Sequence, residues 1–184
     1  MSEPRIAPLE PPYSAEVQAS FDKLMPPGIP PIALFRTVAH NPRVLRRMQR
    51  GGLLDPGTID IRSRELLILR TTARCGAEYE WGVHVAFFAR QAKFSKAEIA
   101  ATVVGQARDW LDPAEADLIH LADALHEQAR VDEALWARLA ARWQPDQLIE
   151  LLMLCGLYHA VSFLCTATAV APEPSAPRFP AAPD

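Results

Sequence analysis

An all-α fold, a single-domain helical bundle with proline-rich arms at both ends, is predicted by three observations. Between the chain ends, apolar residues recur at helical rather than alternating spacing, with no convincing strand pattern and no clear internal repeat. Helix-starting signals precede those segments: Ser14, Pro42, Ser95 with Glu98, Asp112-Pro113 and Pro145. The 17 prolines gather in the two ends and in "MPPGIPPIALF", which leaves the interior mostly free of helix breakers.

Taken in order, residues 1–13 form a proline-rich N-terminal arm, residues 14–170 the helical domain and residues 171–184 a proline-rich tail, both ends being read as extended or disordered. Ser14 caps a helix to about Met25, and Ile32 to Ala39 forms a short one that stops before Asn41-Pro42. Pro42 suits the first turn of the next helix, to about Arg50. After the loop "GGLLDPGTIDIRS", helices are expected over Ile61 to Ala73 and Glu78 to Ala92. Ser95 and Glu98 make a capping box for Lys96 to Gly105, and Asp112-Pro113 opens a helix to Gln128. Asp132 to Ala141 is amphipathic. Pro145 to Thr168 is apolar almost all round, which makes it central or a subunit interface.

At 184 residues the chain is long enough for one domain with a sizeable core. Its formal net charge of -3, with no run of basic residues, gives no reason to expect a nucleic acid partner. Arg43, Arg46, Arg47 and Arg50 fall at helical spacing and read as a solvated face. No apolar segment is read as spanning a bilayer and the N-terminus has no signal core, so no membrane association and a cytoplasmic location are expected. The three cysteines, Cys75, Cys155 and Cys165, form no C-x-x-C and are read as reduced, small core residues.

Chemistry concentrates in "RELLILRTTARCGAEYEWGVHVAFFAR". Glu80 and His84 are four residues apart, so on a helix they share a face. A carboxylate beside an imidazole in apolar surroundings raises the histidine pKa and holds one ring nitrogen, as a proton-transfer pair requires. The same spacing also describes an ordinary helix contact worth about 0.2–0.5 kcal/mol. Glu65, on the preceding helix, either pairs with an arginine at the surface or turns inward to complete a Glu65, Glu80, His84 cluster. Two carboxylates and a histidine could also hold a metal, but neither Glu-x-x-His nor His-Glu-x-x-His is present, and a metal-free site is preferred. His120 and His126 lie on a charged amphipathic helix and are expected to be solvated. Tyr158 and His159 interrupt the apolar C-terminal helix, as core residues or as the wall of a pocket facing the Glu80 helix.

From about Leu34 to Val170 the chain resembles the carboxymuconolactone decarboxylase family, whose redox branch is the alkylhydroperoxidase AhpD type. The resemblance rests on "LFRTVAHNPRVLRR", on "RSRELLILRTTARCGAEYEWGVHV" with the following "AEIAAT", and on "LIELLMLCGLYHAVSFLCTATAV". The redox branch carries a glutamate, eleven intervening residues, C-x-x-C, and a histidine four after the second cysteine. Here that glutamate falls on Glu65 and the histidine on His84, while the cysteine positions hold Ala77 and Glu80. The thiolate and resolving thiol that peroxide reduction needs are missing from the frame, which disfavours a thiol peroxidase.

The decarboxylase branch implies an all-helical homo-oligomer (dimer, trimer or hexamer) with no cofactor, acting on a small carboxylated unsaturated lactone or related acid. On that resemblance the expected reaction is a decarboxylase or lyase step, with His84 as the acid that delivers the proton, Glu80 orienting it and Glu65 fixing the cluster or relaying a proton. Arg70, Tyr158 and His159 are the candidates for contact with the substrate. The competing expectation from another class is a helical binding or assembly module that has kept the fold and lost the chemistry.

Overall fold

The computed structural model describes residues 3–110 and 112–181, and among them it contains nine α-helices and no strand. They are α1 (Ala15–Leu24), α2 (Ala33–Val38), α3 (Pro42–Gly51), α4 (Ile61–Arg74), α5 (Glu78–Phe88), α6 (Lys96–Val104), α7 (Pro113–Gln128), α8 (Glu133–Ala140) and α9 (Pro145–Thr168), with one 3₁₀ turn at Ala107–Asp109. Ser14 accepts from the amide of Val17 and Asp112 from Ala114, at the expected helix starts, and Asn41 and Asp132 cap in the same way through Val44 and Leu135. Ser95 and Glu98 close the full capping box. Asp60 caps α4 through the amides of Arg62 and Ser63.

The hub is α4. Every residue from Arg64 to Thr72 is buried, because α5, α6, α7 and α9 all pack against this helix. One apolar core joins Leu66, Leu67 and Ile68 to Leu118, Ile119 and Leu121 of α7, Leu135 and Leu139 of α8, and Leu151 and Leu154 of α9. Each such leucine or isoleucine contributes about 1.5–3 kcal/mol by leaving water. A second core joins Phe21 of α1, Leu34 and Val38 of α2, Leu45 of α3, Tyr79 and Val83 of α5, and Val161 of α9.

The turn between α4 and α5 sets the register of the future site. Gly76 takes a left-handed backbone, φ +64°, and the amide of Ala77 reaches back to the carbonyl of Thr72 at 2.9 Å. That is a glycine-terminated helix end. The chain reverses there, so α5 runs back along α4 and brings Glu65 and His84 to similar heights.

Three features depart from the sequence reading. Helix α5 ends at Phe88 rather than near Ala92, because the chain curls into turns in which Phe94 donates to the carbonyl of Ala89 and Lys93 takes φ +57°. Helix α9, read as too short to span a bilayer, is long and apolar enough by length and composition: Leu151 to Val170 contain no Asp, Glu, Lys or Arg. Here it buries Leu151, Leu154, Tyr158, Val161 and Cys165 inside the bundle while Ile149, Met153 and Phe163 face outward. The C-terminal tail is extended but docked. Glu173 accepts from the Tyr79 hydroxyl at 2.7 Å and the Ala33 amide at 2.5 Å, Phe179 meets Trp81 edge to face at 5.3 Å, and the Phe179 amide donates to Glu78 at 2.9 Å.

Gly82 lets this tail approach α5, since a Cβ there would lie 2.3 Å from the carbonyl oxygen of Pro177. Gly82→Ala is expected to lift the tail and to speed tryptic cleavage after Arg178 several-fold, read by mass spectrometry, with the helical domain intact. An unchanged cleavage rate would mean that the tail does not rest on α5.

Candidate functional site

The interior faces of α4, α5 and α9 meet at a buried polar cluster. Glu65 is fully buried, His84 3% exposed and Glu80 6% exposed. A carboxylate costs several kcal/mol to bury unless its oxygens are paired, and both oxygens of Glu65 are. The His84 Nδ1 lies 2.7 Å from Glu65 Oε2, while Arg64 holds Oε1 through Nε at 2.9 Å and a terminal nitrogen at 2.8 Å. Arg64 also donates to the carbonyl of Leu54 at 2.9 Å, and its guanidinium sits 5.4 Å from the Phe88 ring centroid.

The other imidazole nitrogen, Nε2, faces Glu80 Oε1 at 3.5 Å. Glu80 is thus held more loosely than Glu65, and its second oxygen meets the Cys165 thiol at 3.9 Å. Tyr158 packs edge to face on the His84 ring at 4.9 Å. Burial opposes the charge on His84, but the nearby carboxylates, Glu65 foremost and then Glu80, outweigh it and raise the pKa to about 9. The ring is an imidazolium at neutral pH, clamped at Nδ1 and carrying a transferable proton at Nε2. Burial, then the charges of Glu80 and Glu65, push the Tyr158 hydroxyl well above its usual range, so it stays protonated.

Glu65, Glu80, His84 and Tyr158 are therefore brought together. Arg70 is not among them. It points from α4 toward α6 and α7, pairs with Asp123 through two hydrogen bonds at 2.7 and 2.8 Å, and donates to the carbonyls of Thr102 and Gly105. Every branch of its guanidinium is committed to holding helices together. His159, one residue after Tyr158, turns away to the opposite side, where it meets His126 at 3.2 Å.

Two participants escaped the sequence reading. Arg64 neutralises Glu65 from the adjacent position, inside the bundle rather than at its surface. Cys165 stands between Glu80 and a cleft of about 400 Å³ lined by Ala77, Glu78, Tyr79, Thr166 and Val170. All three thiols are held above their ordinary range by burial, Cys155 to about 12, which withholds the thiolate that peroxide chemistry requires.

Two solved structures share the whole fold. An uncharacterized peroxidase-related protein from Silicibacter sp. TM1040 superposes with a TM-score of 0.80 at 18% identity, over 96% of this chain and 97% of the other. The debrominase Bmp8, a Cys-to-Ala variant in complex with 2,3,4-tribromopyrrole, superposes with a TM-score of 0.75 at 16% identity, over 92% of each chain. No curated protein matches the sequence at a significant level. Residues 42–124, from the start of α3 into α7, match the model of the Carboxymuconolactone decarboxylase family. The matched segment supplies Glu65, Ala77, Glu80 and His84, and it carries no C-x-x-C pair.

Proposed function

We propose that the chain is a cofactor-free proton-transfer enzyme, a decarboxylase or related lyase acting on a small carboxylated lactone or unsaturated acid. One observation carries this reading: a buried imidazolium is held between two carboxylates, one of which, Glu80, stands where the redox frame would carry its second cysteine. Loss of carbon dioxide leaves an electron pair that a conjugated carbonyl accepts as an enolate. The Nε2 proton of His84 then passes to carbon, and the neutral ring regains a proton from water by way of Glu80. Glu65 keeps Nδ1 protonated throughout, and Arg64 prevents Glu65 from taking that proton. The Tyr158 hydroxyl, held in its donor form beside the His84 ring, is the group that stabilises the developing oxyanion in this proposal.

Of the roles expected on the resemblance, this reading keeps Glu65 as the group that fixes the cluster and gives Glu80 the proton relay. Glu65, at 2.7 Å, is the orienting carboxylate, and Glu80, at 3.5 Å, is the one free to exchange a proton. The neighbour that carries a tribromopyrrole supports a small, planar, unsaturated substrate. A thiol peroxidase is disfavoured by the protonated, buried cysteines.

His84→Gln is expected to lower turnover on a panel of carboxylated unsaturated lactones by about 100-fold or more. Glu80→Gln should reduce kcat more than it raises KM. Full turnover in both variants on a confirmed substrate would sink the proposal, and a panel in which no acid raises the Tm would favour the binding-module reading.

The raised His84 pKa also predicts a pH dependence of stability. The folded pKa of about 9 exceeds the ordinary 6.5, so this contribution is fully present below about pH 6.5 and is lost as pH rises through 9. Chemical denaturation should show stability declining across that window, with the decline flattened in His84→Gln.

We also propose self-association through the outer face of α9. Ile149, Met153 and Phe163 are about 60% exposed there, and Gly156 and Ala160 on the same face allow a second helix to approach closely. Light scattering should report an oligomer that Phe163→Glu dissociates, and a monomeric wild type would contradict it.

A further inference from the structure

A second cluster of chemically capable side chains lies on the opposite side of α9, built by three helices distant in sequence. Cys75 caps the C-terminal end of α4, His126 sits in the last turn of α7, and His159 is in the middle of α9. All three are half-buried, and their donor atoms lie within 4.8 Å of one another. The Cys75 Sγ is 3.7 Å from His126 Nδ1, which is 3.2 Å from His159 Nε2.

Those separations carry information. In a tetrahedral zinc site, with Zn–S about 2.3 Å and Zn–N about 2.0–2.1 Å, a sulfur and a nitrogen ligand stand roughly 3.6 Å apart and two nitrogens roughly 3.3 Å apart. Two of the three separations, 3.7 and 3.2 Å, match these spacings, and the third, between Cys75 and His159, lies within 4.8 Å, so the site closes slightly around an ion. The tautomers also suit a metal. His159 Nδ1 lies 2.8 Å from the carbonyl of Cys155 and donates to it, which leaves the Nε2 lone pair directed into the cluster. This is the outer hydrogen bond that orients a metal-binding histidine.

We propose that Cys75, His126 and His159 form a binding site for a borderline-soft divalent transition metal, zinc first, with the fourth position left to water or a small ligand. One thiolate and two imidazoles select zinc over magnesium or calcium, which prefer all-oxygen ligands. The surroundings fit a neutralised cation. Arg74 lies nearby, but it pairs with Asp123 at 3.4 Å and Glu127 at 2.5 Å. The Ser162 hydroxyl, buried and without a hydrogen-bond partner among the described residues, lies beside the Cys75 thiol. Loss of the thiol proton accompanies binding.

The site is independent of the proton-transfer cluster. Tyr158 turns toward His84 and His159 away from it, as consecutive helical positions roughly 100° apart must. An ion here would tie the ends of α4 and α7 to the middle of α9.

The test uses the full chain, reduced and stripped with chelator, titrated with zinc by calorimetry and with cobalt(II) by absorption spectroscopy. Wild type is expected to bind one zinc per chain, to gain Tm on zinc addition, and to give an intense thiolate-to-cobalt charge-transfer band. Cys75→Ser should abolish that band, and His159→Ala should weaken zinc binding at least tenfold. Absence of the band in wild type overturns the proposal, whether or not a variant folds. Zinc affinity unchanged in Cys75→Ser and His159→Ala, each shown by circular dichroism to be helical, overturns it equally.

Discussion

The ion contact between Glu65 and His84 is the constraint on which the centre of the structure depends. A carboxylate with no exposed surface in the middle of the most buried helix is tolerable only if both oxygens are paired. That requirement brings Arg64 inward, fixes the height of α5 against α4, and gives the left-handed Gly76 turn its purpose. It also sets the chemistry. Once Nδ1 is clamped, the remaining nitrogen has one direction in which to act, and Glu80 stands in that direction.

Much of the fold was legible in the sequence because helix ends have local causes. Ser14, Asn41, Ser95, Asp112 and Asp132 each announce a cap whose acceptor and donor lie within three residues. The end of α5 was less legible, since nothing local dictates that Lys93 takes a left-handed backbone. The membrane-length character of α9 was underread because His159, Tyr158 and Ser162 look like interruptions, although none carries a fixed charge.

The site was legible in proportion to how local it is. Glu80 and His84 follow from helical spacing, yet the shorter contact comes from Glu65 on another helix, whose inward turn the sequence offered only as one of two alternatives. The inward turn of Arg64 had no local signal, because adjacent helical residues ordinarily do not meet. They meet here because α4 is enclosed on nearly every side and a long guanidinium can bend back along the helix. His126 read as solvated since it shares a turn with Glu127 and follows Asp123. What covers it is His159, a residue 33 positions later, and no periodicity encodes such a pairing.

Glu80 in place of a cysteine has a consequence for how the protein meets its surroundings. A thiol at that position would tie activity to a supply of reducing equivalents and could be silenced by the peroxide it meets. A carboxylate exchanges only protons, which water replenishes without a partner protein. On the proposed reading, the buried centre answers to acidity rather than to the oxidation state of its surroundings.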